Sequence, residues 1–300
     1  MDVNELVNSD NCEKYYDRMT NSASKSTKGL IPSLVRGDKV LDVGCGSGVM
    51  LEMLRDKGIN AKGIDNNKCA IDTCRSKGFD AELCDLAKLD IEEKFDTIIF
   101  SSVLHEIGSY SGENPFSTYV IRNVLEIAKR HLSDNGIIII RDGLEADPIF
   151  NDEIRVKMTH KAADKFEEFL RVHPPIKYKV WRYNVRKEES YSVIKTEPRI
   201  LKEFIFTYTW GDGSWYRESL EKFGYMNKSE WLHLMRCLDM RISFVSTSSE
   251  EYIKYASKFL TLNHYIEDLL EESTILLVAE KKEEEPEDIC IGYFRRKIQL

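Results

Sequence analysis

The residues that could do chemistry first come into view at Val40-Leu41-Asp42-Val43-Gly44-Cys45-Gly46-Ser47-Gly48. Glycines at 44, 46 and 48 remove side chains, so a ligand can lie directly against the backbone. A dinucleotide loop wants G-x-G-x-x-G around a pyrophosphate. Here the third glycine comes one position early and Val49 stands where it would be. Asp42 precedes the loop by two residues, where a carboxylate repels a pyrophosphate but suits the ammonium of an amino-acid moiety. His105 and Glu106 follow a later apolar run; an imidazole there is a candidate general base at neutral pH, or else packs beside a ligand. Arg141, at the end of another apolar run, suits a carboxylate or phosphate, or pairs with a neighbouring acid such as Asp142. The seven cysteines are scattered and form no C-x-x-C pair, which argues against a zinc knuckle or redox pair. No cluster has metal-ligand spacing, so no metal is expected, and reduced thiols in a cytoplasmic chain are the simplest expectation.

The elements that must position these residues alternate. Lys39–Val43, Ala61–Ile64, Asp80–Leu83, Phe95–Ser102 and Gly136–Ile140 read as strands. Val49–Lys57, Asn67–Lys77 and the face Ile121, Val124, Leu125, Ala128, Leu132 read as helices. Fully apolar strands alternating with helices predict a parallel sheet covered on both faces. Right-handed crossovers make it doubly wound, and ligands of such sheets bind at the carboxyl ends of the strands. The expected fold is an α/β, mostly parallel seven-stranded sheet with an α-rich insertion, a lid, after the fifth strand. The expected organisation is a helical lead-in over 1–30, a core over 31–143 and an inserted substrate subdomain over 144–228. Final helices and strands over 229–281 complete the core, before a charged tail at 282–300.

Asp42-Val43-Gly44-Cys45-Gly46-Ser47-Gly48 resembles motif I, D/E-x-G-x-G-x-G, of class I S-adenosylmethionine-dependent methyltransferases. The resemblance continues in order through Gly63-Ile64-Asp65, Leu83-Cys84-Asp85, Lys94-Phe95-Asp96-Thr97-Ile98-Ile99 and Leu132-Ser133-Asp134-Asn135-Gly136. It covers roughly residues 30 to 142 and the terminal strands, and little of the insertion. In the last of these segments Asn135 replaces the family's first glycine and tolerates a left-handed backbone. The resemblance implies S-adenosylmethionine as cofactor and S-adenosylhomocysteine as product. It assigns Asp42, Gly44, Cys45, Gly46 and Gly48 to the methionine portion, Asp65 with Asn66 to the ribose, and Cys84 with Asp85 to the adenine. Ser101 joins the same pocket, and His105 and Arg141 are the catalytic candidates. By itself, Asp65 is also a common kind of helix N-cap.

The acceptor leaves weaker marks. Ser101-Ser102-Val103-Leu104-His105-Glu106 stands where amino-methylating enzymes of bases and glutamine carry [DNS]-P-P-[YF], and no Pro-Cys pair marks a cytosine-carbon methylase. An O-, S- or other N-acceptor is left. Tyr16, Tyr208, Trp210, Trp215 and Arg217 are substrate candidates, although Trp210 and Trp215 fit core anchors equally. From Arg155 to Lys202 there are 13 Lys/Arg against 6 Asp/Glu, an excess of +7 in a chain of net charge −8. A basic segment on an acidic body suits an anionic partner, so RNA stands behind a small-molecule or nucleotide-type acceptor. A non-catalytic binding module is a third reading. The acidic N-terminus, Met1-Asp2-Val3-Asn4-Glu5, does not read as a secretory leader, and no apolar run approaches the ~18 residues of a membrane span.

Overall fold

A computed structural model describes residues 28–85, 93–112, 115–177, 184–187 and 190–282. Tyr16, most of the lead-in and the tail beyond 282 lie outside the described residues. The central sheet is built from β1 (Val40–Val43), β2 (Ala61–Asp65), β3 (Asp80–Leu83), β4 (Phe95–Ser101) and β5 (Leu132–Gly143), with β9 (Met240–Ser248) and β10 (Thr274–Lys281). Their order is β3-β2-β1-β4-β5-β10-β9. β1 pairs in parallel with both β2 and β4, and β10 runs antiparallel to β5 and β9. The strand order therefore reverses between β1 and β4, and the crevice for a ligand opens beyond their carboxyl ends.

The apolar strands fill two layers because successive side chains point to opposite faces. Ile98, Phe100, Ile138 and Ile140 join one core with Ile121, Val124, Leu125 and Ala128 of the helix Thr118–Arg130. Ile99, Ile137 and Ile139 join the other with Met50 and Leu54 of the helix Val49–Arg55. The expected helix after β2 is Lys68–Ser76, and its N-cap is Asn67, whose Oδ1 accepts the Cys69 and Ala70 N–H groups. Asn135 sits at φ 62°, as its place in the turn before the fifth strand suggested.

The insertion departs from the expectation of an α-rich lid. It carries β6 (Ile154–Met158), β7 (Asn184–Lys187) and β8 (Ser192–Thr196), an antiparallel sheet in the order β6-β8-β7. These strands are short and alternate charged with apolar residues, so one face is buried and the other wet. Helices α6 (His160–Val172) and α8 (Pro198–Tyr208) pack on them. The second core contains Phe166, Phe169, Ile194, Phe204 and Trp215, and also Ala256, Phe259, Ile266, Leu269 and Leu270. The latter group comes from α11 (Glu250–Ala256), α12 (His264–Glu271) and the turn between them. The stretch between β9 and β10 thus completes the inserted subdomain as well as the main sheet. Among the described residues no helix is long and apolar enough to cross a membrane.

Candidate functional site

The glycine turn sits where β1 gives way to its helix, and its geometry requires glycine. Gly44 holds φ +68°, and a Cβ there would lie 2.2 Å from Val103 Cγ2. The turn is pinned from the next strand, because Asp65 Oδ2 accepts the Gly46 N–H at 2.9 Å and Oδ1 accepts the Asn67 N–H at 2.8 Å. Asp65 is therefore a strut between the ends of β1 and β2, and the helix-capping role belongs to Asn67. The Cys84 N–H donates to the Asp65 carbonyl at 2.9 Å, which brings the end of β3 alongside. Asn66 and Asp85 are exposed at the same edge, and Cys84 is half-buried. Cys45 faces Cys74 across 4.0 Å, with both thiols buried.

Asp42 is 1% exposed, and its Oδ2 has no hydrogen-bond partner among the described residues. Burial raises its pKa to about 7; Lys28 pulls it down and Asp65 pushes it further up. Ser47 Oγ and Ser101 Oγ are likewise buried and unpartnered there. Lys28, just after the undescribed lead-in, interacts with Asp42, Glu106, Arg141 and Asp142, and loss of solvent lowers its pKa to about 8. No local sequence signal distinguished this lysine from its polar neighbours.

A second group of residues meets at the end of β4. The helix α4 (Leu104–Ser109) begins there, after Ser102 has taken φ 59°. A serine in the left-handed region stores strain of the kind found at functional turns. Arg141 Nη1 donates to Ser102 Oγ at 2.6 Å, so the end of β5 braces that turn. His105 is buried, its Nδ1 donates to Asp142 Oδ1 at 2.6 Å, and its backbone N–H donates to Asp142 Oδ2 at 3.2 Å. Its ring stacks on Phe223 at 4.8 Å. Burial disfavours the imidazolium, but Asp142, Glu221 and Glu106 outweigh it and raise the pKa to about 10.

The insertion closes this group from the other side through α9 (Trp215–Glu218) and the residues after it. Arg217 donates from Nη2 to Glu106 Oε2 at 2.9 Å and from Nε to Glu221 Oε1 at 3.1 Å. The Tyr110 hydroxyl donates to the same Glu221 oxygen at 2.8 Å. Glu218 Oε1 and Glu221 Oε2 are buried without hydrogen-bond partners among the described residues. Burial and mutual repulsion raise the pKa of Glu218 well above the usual range; burial and Glu106 raise that of Glu221. Sequence reasoning missed Tyr110, Glu218 and Glu221, because no spacing links residues more than a hundred positions apart.

Of the substrate candidates, Arg217 reaches this site. Trp215 does not face it. It is 5% exposed in the second core and its Nε1 donates to Glu168 Oε1 at 2.8 Å. Tyr208 stacks on Phe204 at 5.1 Å in the same core. Trp210 is half-buried at the end of the helix that carries Tyr208.

Known proteins share the part of the chain that builds the cofactor edge. The family described as "Methionine biosynthesis protein MetW" matches residues 26–133. A ubiquinone biosynthesis O-methyltransferase of Actinobacillus pleuropneumoniae is 29% identical over 152 residues, covering 45% of this chain and 60% of that protein. The tRNA (carboxymethyluridine(34)-5-O)-methyltransferase alkbh8 of Xenopus tropicalis is 34% identical over 81 residues, covering 27% of this chain and 13% of that protein. The chain thus spans less than two thirds of the length of these relatives. Among solved structures, an S-adenosylmethionine-dependent methyltransferase from Mesorhizobium loti superposes with a TM-score of 0.50 at 15% identity, over 87% of this chain and 100% of that one. The magnesium protoporphyrin IX methyltransferase of Synechocystis PCC 6803, with bound S-adenosylhomocysteine, does so with a TM-score of 0.50 at 10% identity, over 93% and 98%. Strand order, the pinned glycine turn and these comparisons agree: the chain has the fold of class I S-adenosylmethionine-dependent methyltransferases, and its first half resembles them in sequence.

Proposed function

We propose that this protein transfers a methyl group from S-adenosylmethionine to an oxygen of a small-molecule or nucleotide-type acceptor. The observation that carries the cofactor assignment is the Asp42 carboxylate, buried at the root of the glycine turn with one oxygen unpartnered. A buried carboxylate oxygen without a hydrogen bond is costly, and an ammonium group donating to it relieves that cost. The residues present therefore fit the cofactor. Asp42 and the 44–48 turn would hold its amino-acid end, Asp65 and Asn66 its ribose, and Cys84, Asp85 and Ser101 its base and rim. When bound, the cofactor supplies an electrophilic methyl group on a sulfonium centre. The protein's own part is to orient the acceptor and exclude water. His105, locked by Asp142, and Arg217, bridging Glu106 and Glu221, form the polar wall on the acceptor side. The oxygen acceptor is supported by the two relatives above, whose names describe O-methylation.

Calorimetric titration with S-adenosylmethionine, S-adenosylhomocysteine and NAD tests this reading. Micromolar binding of the first two and none of NAD is expected; binding of NAD alone would overturn it.

An RNA acceptor is the second reading, favoured by the basic insertion and the tRNA-modifying relative. Lys179 and Arg182 lie outside the described residues. Arg186 and Lys187 are exposed, with Lys187 paired to Asp164 at 3.1 Å. RNA binding would show steep salt dependence, and no retention of RNA at low salt would remove this reading.

A further inference from the structure

We propose that His105, Glu106 and Glu221 form a binding site for a divalent first-row cation. Each residue offers one ligand atom, and the three atoms lie within 4.8 Å of one another. They come from two elements, α4 after β4 and the segment after α9, so only the closed fold assembles them. Asp142 occupies Nδ1 of His105 and leaves Nε2 as the outward-facing nitrogen, from which a bound cation would displace the proton to solvent. This is the arrangement by which a carboxylate orients a metal-binding imidazole. Nε2 stands 3.7 Å from Glu221 Oε2. That gap is too long for a hydrogen bond, yet two bonds of ~2.0–2.2 Å to a shared ion span it at an open angle.

The orphaned oxygens supply the independent observation. Glu221 is 1% exposed, and its Oε2 has no hydrogen-bond partner among the described residues. Arg217 and Tyr110 are both spent on its other oxygen, Oε1. Glu218, also 1% exposed, brings a second unpartnered oxygen into the same electrostatic neighbourhood. Four carboxyl groups, Glu106, Asp142, Glu218 and Glu221, thus interact with His105 or with one another, while the Arg217 guanidinium engages two of them. One imidazole with carboxylates suits manganese or zinc better than copper(I) or an iron–sulfur cluster, which want thiolates. The site stands independently of methyl transfer. Its role, to hold an acceptor oxygen beside the cofactor edge, rests on the reading above.

The test is titration of the full chain with Mn2+ alone at pH 8, read by calorimetry and by loss of the free-ion electron-spin signal. One saturable site is expected, with binding weakened tenfold or more in Glu221→Gln and in Glu106→Gln. Circular dichroism establishes that each variant is folded, and Glu106, which is only partly buried, is the safer of the two. Absence of Mn2+ binding up to millimolar concentration would overturn the proposal, as would wild-type affinity in both folded variants. The S-adenosylmethionine titration of the same preparation reports separately on the methyltransferase reading.

Discussion

Asp42 is a liability in the ligand-free protein and an asset once a cation sits beside it. Its folded pKa, about 7, lies above the ordinary 3.8. The folded state therefore holds the proton more tightly than the unfolded chain, and stability falls as pH rises from 3.8 to 7. The full cost of the ionised group is at most about 4 kcal/mol. Asp42→Asn should make the cofactor-free protein about 1–3 kcal/mol more resistant to urea at pH 8 and change little at pH 4. The same variant should bind S-adenosylmethionine at least tenfold more weakly, since a charged hydrogen bond is worth about 1.5–3 kcal/mol. Wild-type urea resistance at pH 8 would mean that Asp42 is already paired. This half of the site was legible because its parts are local: an acid, three glycines and an apolar strand within nine residues. The His105 half was not. His105 and Glu106 showed in the sequence, but Glu218 and Glu221 look there like ordinary acids, one ending a short helix and one just beyond it.

At the level of elements, legibility followed burial. β1, β4 and β5 are read easily because central strands covered on both faces must be largely apolar, whereas β3, at the sheet edge, exposes Asp80, Glu82 and Leu83. β6 to β8 are short, and residues such as Arg155, Lys157 and Lys195 break their apolar pattern. One contact ties the insertion's helices to the segment that carries Glu221. His173, at the end of α6, is 1% exposed, stacks on Phe169, and donates from Nδ1 to the Ser219 carbonyl at 3.1 Å. Burial lowers its pKa to about 4. A depressed histidine contributes stability that is present above its unfolded pKa of 6.5 and lost as pH falls towards 4, up to about 3 kcal/mol. His173→Gln keeps a donor for the Ser219 carbonyl and cannot titrate. Its stability between pH 6.5 and 4 should fall less than the wild type's, as chemical denaturation at each pH would reveal. Parallel curves for the two proteins would refute the assignment.

Over the whole molecule, two cores share one chain in an interleaved way. The second core takes its residues from the insertion after β5 and from the excursion between β9 and β10. Leu270, fully buried in that excursion, packs in the same cluster as Phe166 and Phe204. Leu270→Ala should cost about 2–5 kcal/mol. Hydrogen exchange should then quicken together in α6 and α12, although about a hundred residues separate them. Faster exchange in α12 alone would show the two segments to be independent. The interleaving also limits how this insertion can be exchanged with that of another protein of the same fold. A chimera that replaced only residues 144–228 would leave Leu269 and Leu270 facing a foreign surface. A workable graft would have to carry both pieces at once, so in the history of such a fold this subdomain would change by paired insertion more readily than by swapping a single loop.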